Sequence, residues 1–157
     1  MEEKQFDACM KRMKSGDKGA LHEIYEAYLG YIYAIVRQTV SNREDAEDVT
    51  SEFFMKLWRL ADTYRGGNGH RAWMAAIVRN MAVDLMRKTK REILTEDFVD
   101  TMTETASDVC VETKVLSDMS LRQALDMLKP NEREVVNLKI MGELTFQEIA
   151  DILKIPL

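Results

Sequence analysis

The chain has 157 residues, of which 46% are hydrophobic and 31% charged, with two prolines and seven glycines. That length holds one domain or two small helical ones, and the composition is that of a globular chain with room for long helices. The opening Met-Glu-Glu-Lys-Gln has no apolar h-region and no apolar run is long enough to span a bilayer, so a cytoplasmic chain without membrane insertion is expected.

The formal net charge of −5 argues against nucleic acid until its distribution is read. Residues 59–91 hold 8 Lys and Arg against 2 Asp and Glu, a net of +6. Residues 92–120 hold 1 Lys against 8 acids, a net of −7, and residues 41–58 hold 2 basic and 5 acidic residues, a net of −3. A basic block set between acidic ones says more about partners than the total does. Cys9 and Cys110 have no metal-ligand spacing and read as reduced thiols.

In chain order, Phe6 to Lys14 predicts a short helix, ended by Ser15-Gly16-Asp17. A second helix runs from about Lys18 to Val40, with Leu21, Ile24, Tyr25, Tyr28, Ile32, Ile35 and Val36 as its apolar stripe. Ser41, with Glu44 three residues on, reads as a capping box for a third helix reaching about Ala61. Ala46, Val49, Phe53, Leu57 and Leu60 face its core. Its other face carries Glu47, Asp48, Ser51 and Glu52, with Met55 and Trp58 close by. Two readings stay open for that strip. The acids complement the helix dipole, or they form a docking surface for a basic partner.

Thr63-Tyr64-Arg65-Gly66-Gly67-Asn68-Gly69 predicts a loop. Tyr64 beside Arg65 either stacks on an unpaired base or packs over the loop as a lid. Gly69 to Arg91 then reads as one helix. Trp73, Ile77, Met81 and Leu85 recur four apart, with Met74, Val78 and Ala82 beside them. The opposite side holds Arg71, Arg79, Asn80, Asp84, Arg87 and Lys88. It is either a solvated basic face or a surface for phosphate and base edges.

Periodicity fails from Glu92, and residues 92–110 read as an acidic linker. Helical pattern returns with Val111, Val115, Leu121, Leu125 and Leu128. Pro130 sits at the early position of another helix, closed by Gly142. Thr145 and Glu148 form a second capping box ahead of Phe146, Ile149, Ala150, Ile152 and Leu153. The pattern contains no strand. The fold class is all-α, with two small helical domains at 1–91 and 111–157 joined by the linker.

Asp45-Ala46-Glu47-Asp48-Val49 with Phe53, Leu57 and Trp58, then Arg71-Ala72-Trp73, Arg79-Asn80 and Asp84-Leu85-Met86-Arg87-Lys88, closely resembles the second region of extracytoplasmic-function (ECF) sigma factors. Leu128-Lys129-Pro130-Asn131-Glu132-Arg133-Glu134-Val135, with Gly142, Leu144 to Ala150 and Ile152-Leu153, resembles the start of their fourth region. The two matches stand in the family's order.

The resemblance implies a transcription initiation factor that binds core RNA polymerase, directs it to promoter DNA and melts the −10 element. Asp48, Ser51, Glu52 and Met55 are implied to dock on the clamp helices of the polymerase β′ subunit, with a serine at 51 where the family usually has glutamine. Tyr64, Arg65, Arg71, Trp73, Arg79, Asn80, Asp84, Arg87 and Lys88 are implied to engage DNA, Asn80 as the holder of a flipped-out base. An anti-sigma factor is a further implied partner. The family's fourth region ends as a helix-turn-helix, and this sequence reaches Leu157 inside the turn. The recognition helix is therefore expected to be missing, and an apolar patch near Ile149 and Leu153 to be exposed.

The competing reading is a shortened sigma-like interaction module that binds polymerase or an anti-sigma factor without initiating transcription. An enzyme is not expected. His22 and His70 lack partners at ligand or triad spacing, no phosphate loop follows a strand, and no cofactor or metal is implied.

Overall fold

The computed structural model describes residues 1–67, 69–95 and 123–156. Every regular element among them is helical. Four helices form the first unit: α1 (Glu3–Lys14), α2 (Lys18–Thr39), α3 (Arg43–Leu60) and α4 (His70–Thr95), with a 3-10 turn at Ala61–Thr63 closing α3. A helical turn at 123–126 precedes α5 (Pro130–Ile140), and α6 (Phe146–Leu153) completes the second unit.

Local chemistry sets most boundaries. The Asp17 side chain caps α2 by accepting from the Gly19 amide at 2.8 Å. The start of α3 differs from the expected Ser41–Glu44 box. Asn42 is the cap, and its side-chain oxygen accepts from the Asp45 amide at 3.0 Å. An Asn one residue on caps the next orphan amide along, so helix start and cap move together. Pro130 opens α5 at its first turn. The Thr145 hydroxyl and the Glu148 carboxylate cap α6 reciprocally at 3.2 and 2.8 Å, as the spacing predicts. α4 runs to Thr95, so residues 92–95, expected in the linker, are helical. The rest of the expected linker, and the segment carrying Val111, Val115 and Leu121, lie outside the described residues.

α2 packs on α1, α3 and α4, and its Ile24, Ile32 and Val36 are fully buried. α3 contributes Phe53 and Leu57, and α4 contributes Met74, Ala75, Val78 and Ala82. The α4 stripe is thus rotated from the expected one. Trp73, Ile77, Met81 and Leu85 are only partly buried, flanking the buried Met74, Ala75, Val78 and Ala82.

The second unit is joined to the same core. Leu138, Leu144 and Ile149 are buried in one continuous cluster with the first unit, where α5 meets α2 and α6 meets α4. This corrects the expected patch: Ile149 is 1% exposed and Leu153 is partly buried. The face that a further helix was expected to cover is covered by α4. Phe146 is the apolar residue of α6 left out, 57% exposed with the Lys139 ammonium 4.5 Å above its ring.

Candidate functional site

Two polar faces stand on this scaffold. The first is on α3. Asp48, Ser51, Glu52 and Met55 follow one another at helical spacing, and all four are exposed. Met55 is 68% exposed, an apolar side chain held in water beside two carboxylates. Glu52 pairs with Lys56 at 3.2 Å, an exposed i, i+4 pair worth about 0.3–0.5 kcal/mol. Behind the face, Val49, Phe53 and Leu57 anchor the helix in the core. The arrangement offers negative charge around an apolar knob, which suits a basic surface with an apolar depression. Trp58 is partly buried against the core and belongs to the other side.

The second face is on α4, and its position begins with Phe6. That ring is fully buried at the centre of an aromatic cluster. It stacks on His70 at 4.8 Å and meets Tyr64, Tyr28 and Trp73 edge-on at 5.4, 5.9 and 6.5 Å. The Glu3 carboxylate accepts from the Gly69 amide at 2.9 Å. α1 therefore pins the loop and the start of α4. Gly66 and Gly67 take consecutive left-handed conformations (φ +77° and +73°), which a side chain at either position would disfavour.

Tyr64 adopts the lid arrangement. It is 7% exposed, its hydroxyl donates to the Asp7 carboxylate at 2.5 Å, and its ring lies 4.8 Å from Trp73. Burial and the neighbouring Asp7 carboxylate push its phenol pKa up. Trp73 shares this cluster and is partly buried, whereas Arg65 is exposed on the loop.

In the sequence His70 has no partner at ligand or triad spacing. It is 6% exposed, and its Nε2 lies 2.5 Å from the Tyr28 hydroxyl, which donates its own proton to the Met1 carbonyl at 2.9 Å. Burial depresses the imidazole pKa, with Arg71 adding repulsion. Its run joins α4 to Tyr28 on α2 and to Met1 ahead of α1, and no spacing in the sequence signals it. Cys9 is buried against the Glu23 carboxylate, and burial holds its thiol pKa up.

The α4 face splits in two. Asn80, Asp84, Arg87 and Lys88 lie at i, i+4, i+7 and i+8 and are exposed together. Arg71 and Arg79 lie toward the second unit and are engaged there. Arg71 pairs with Glu143 and rests over the Tyr31 ring, 5.9 Å from its centroid. Arg79 pairs with Glu134 in a half-buried contact, the two side chains being 21% and 27% exposed. An amide between basic groups offers edge hydrogen bonds, and the cations offer phosphate contacts. Among the described residues, no helix is long and apolar enough to cross a membrane.

Comparison with known proteins fits this layout. The sigma-70 region 2 family model matches residues 24–92, and the sigma-70 region 4 model matches residues 118–157. The ECF RNA polymerase sigma factor SigW of Bacillus subtilis is 28% identical over 157 residues, spanning 94% of this chain and 84% of SigW. SigK of Mycobacterium tuberculosis is 25% identical over 152 residues, covering 92% of this chain and 80% of SigK. BldN of Streptomyces coelicolor is 26% identical over 147 residues, with 92% of this chain matched but only 56% of BldN. Among solved structures, CnrH in complex with the cytosolic domain of CnrY superposes with a TM-score of 0.67 at 19% identity, over 97% of this chain and 84% of that one. The Bartonella quintana sigma factor RpoE in complex with the anti-sigma factor NepR superposes with a TM-score of 0.65 at 23% identity, over 86% and 83%. At these identities the two structures bear on the fold.

Proposed function

This chain belongs to the sigma-70 family, among its ECF sigma factors, and from that premise we propose that it binds core RNA polymerase and directs it to promoter DNA. The observation that carries the reading is the order of the matches. A region 2 model and a region 4 model follow one another along one chain, at 24–92 and 118–157. The site residues add to it physically. The exposed acidic face of Asp48, Ser51, Glu52 and Met55 is assigned to the polymerase clamp. Arg65, Arg71, Arg79, Asn80, Asp84, Arg87 and Lys88 are assigned to the −10 strand, with Tyr64 and Trp73 supporting the loop from beneath. Lys and Arg supply sequence-independent attraction to phosphate, and Asn80 is the amide for a base edge.

The assignment involves no bond-making by the protein itself: a sigma factor works by binding energy alone. Its place of action is the cytoplasm, where polymerase and promoter meet. An anti-sigma factor is the third proposed partner, since the similar RpoE is seen in complex with the anti-sigma factor NepR.

The test is run-off transcription with core polymerase, with and without this chain, from a library of promoter fragments. A product that depends on the chain supports initiation. Tight binding to core enzyme with no product from any fragment favours an interaction module instead, and absence of core binding would sink both.

A further inference from the structure

α1 lies ahead of the residues that the region 2 model matches, yet it holds the loop that leads into α4 at both ends and in the middle. Glu3, Asp7, Met10 and Lys14 recur at i, i+4, i+7 and i+11, which is one edge of the helix. The loop runs back along that edge. At its start, the Lys14 ammonium donates to the Tyr64 carbonyl at 3.1 Å. In the middle, the Tyr64 hydroxyl donates to Asp7 Oδ1 at 2.5 Å. The Gly66 backbone passes the same carboxylate, close enough that a Cβ there would lie 3.5 Å from Oδ2. At its end, the Gly69 amide donates to the Glu3 carboxylate at 2.9 Å.

Polar bonds rather than close packing fasten the loop. A cleft of about 330 Å³ stays open between Met10, Lys11 and Lys14 on α1 and Arg65, Gly66 and Gly67 on the loop. The loop has little stiffness of its own, since glycine loses more freedom on ordering than any other residue. The bonds from Tyr64 to Asp7 and from Lys14 to Tyr64 are partly buried and charge-assisted, so each is stronger than a neutral pair. Losing them frees the loop without opening the core, because α1 is anchored separately by the buried Phe6, Cys9, Met10 and Met13.

We infer that α1 is the template for the loop that meets the −10 strand: Asp7 and Lys14, with Glu3, are positioning residues that fix Tyr64 to Gly69 before a strand arrives. The inference deepens the promoter reading above and rests on it. Arg65 is exposed on this loop, so the hold on its neighbours Tyr64 and Gly66 sets where its guanidinium stands. Capture of an unstacked base orders the groups around it, and a loop ordered in advance spares the strand that cost. General attraction of phosphate to Lys and Arg asks for no such order. The α1 contacts therefore act on discrimination between strands and not on affinity for all of them.

The experiment uses the whole chain bound to core polymerase and two labelled DNA single strands, read by fluorescence anisotropy. One strand is selected from a random pool by the wild-type complex, and the other has the same bases scrambled. Hydrogen exchange of residues 64–69 in the free chain is read in parallel. Asp7→Ala with Lys14→Met removes one charge of each sign and leaves the net charge as it was. It should lower the ratio of selected to scrambled affinity by about three- to tenfold and speed exchange across 64–69. Tyr64→Phe keeps the ring and every charge, and serves if the double variant folds poorly. It should lower the ratio by about two- to fivefold. Affinity for core polymerase should stay unchanged in both, since none of these positions belongs to the Asp48–Met55 face.

An unchanged ratio in both variants overturns the inference. Equal weakening of both strands, or loss of core binding in step with the ratio, overturns it too, because either would mean a general effect on charge or folding. If the wild-type complex selects no strand, the promoter reading fails by itself. The hold of α1 on the loop is then judged on exchange alone: faster exchange in both variants supports it, and unchanged exchange ends it.

Discussion

The acidic face of α3 and the basic face of α4 are neighbours on one bundle, yet they are presented in opposite ways. Asp48, Ser51, Glu52 and Met55 are exposed together, with Phe53 and Leu57 buried directly behind them. On α4 the upper arginines, Arg71 and Arg79, are held by glutamates of the second unit, whereas Asn80, Asp84, Arg87 and Lys88 stand exposed. A surface left open can bind on encounter, whereas a covered one binds only after a contact within the chain is given up. Charge in a sequence thus marks a partner surface without saying whether that surface is available.

The comparison can be broken outright at the scaffold. Phe53 is fully buried behind the α3 face. Phe53→Ala should destabilise the first unit by about 3–5 kcal/mol, read as a lowered denaturant midpoint, and both faces should lose binding together. Retention of either activity at full strength in the unfolded range would mean that the faces do not share one core.

A finer cut separates functions along the open part of α4. Asn80→Ala should weaken binding to the cognate −10 strand by about 1–3 kcal/mol and leave scrambled strands alone. Arg87→Ala should weaken every sequence alike and flatten the salt dependence by about one phosphate contact. If both variants respond identically across scrambled strands, Asn80 does not read a base.

The smallest effect is at the root of α4. The His70 pKa is depressed by burial among Phe6, Tyr28 and Tyr64, with Arg71 pushing the same way and Glu3 and Asp7 opposing. The unfolded chain takes up this proton more readily than the folded one. His70 therefore contributes stability that is present above the ordinary histidine value near 6.5 and is lost as pH falls below it. Thermal unfolding between pH 7.5 and 5.5 should show a lowered midpoint at the acid end that is smaller in His70→Phe. An equal acid loss in both chains would place the titrating group elsewhere.

Much of this layout was legible in the sequence because it rests on local rules. Helix period gave α2, α3 and α4, Pro130 gave the start of α5, and Thr145 with Glu148 gave the cap of α6. The exposed run of Asp48, Ser51, Glu52 and Met55 follows from spacing alone. What was not legible depends on contacts between distant segments. The cap at Asn42 instead of Ser41 turns on which of two adjacent polar residues begins the helix. Ile149 was expected in the open, because nothing local says that α6 folds back on α4. Glu134 and Glu143 drew no notice as individual acids, and their pairing with Arg79 and Arg71 spans more than fifty residues. Tyr64 carried two readings until its hydroxyl was seen on Asp7.

The proposed polymerase surface, the α3 face, is open as the chain stands. The direct measurement is the affinity for core RNA polymerase of the wild-type chain and of Asp48→Arg with Glu52→Arg, by gel filtration and titration, with circular dichroism as the check on folding. Both positions are exposed, so helicity should be unchanged. Reversal of two charges against a basic partner should cost at least about 2 kcal/mol, a loss of thirtyfold or more. Full binding by the folded, charge-reversed chain would contradict the account.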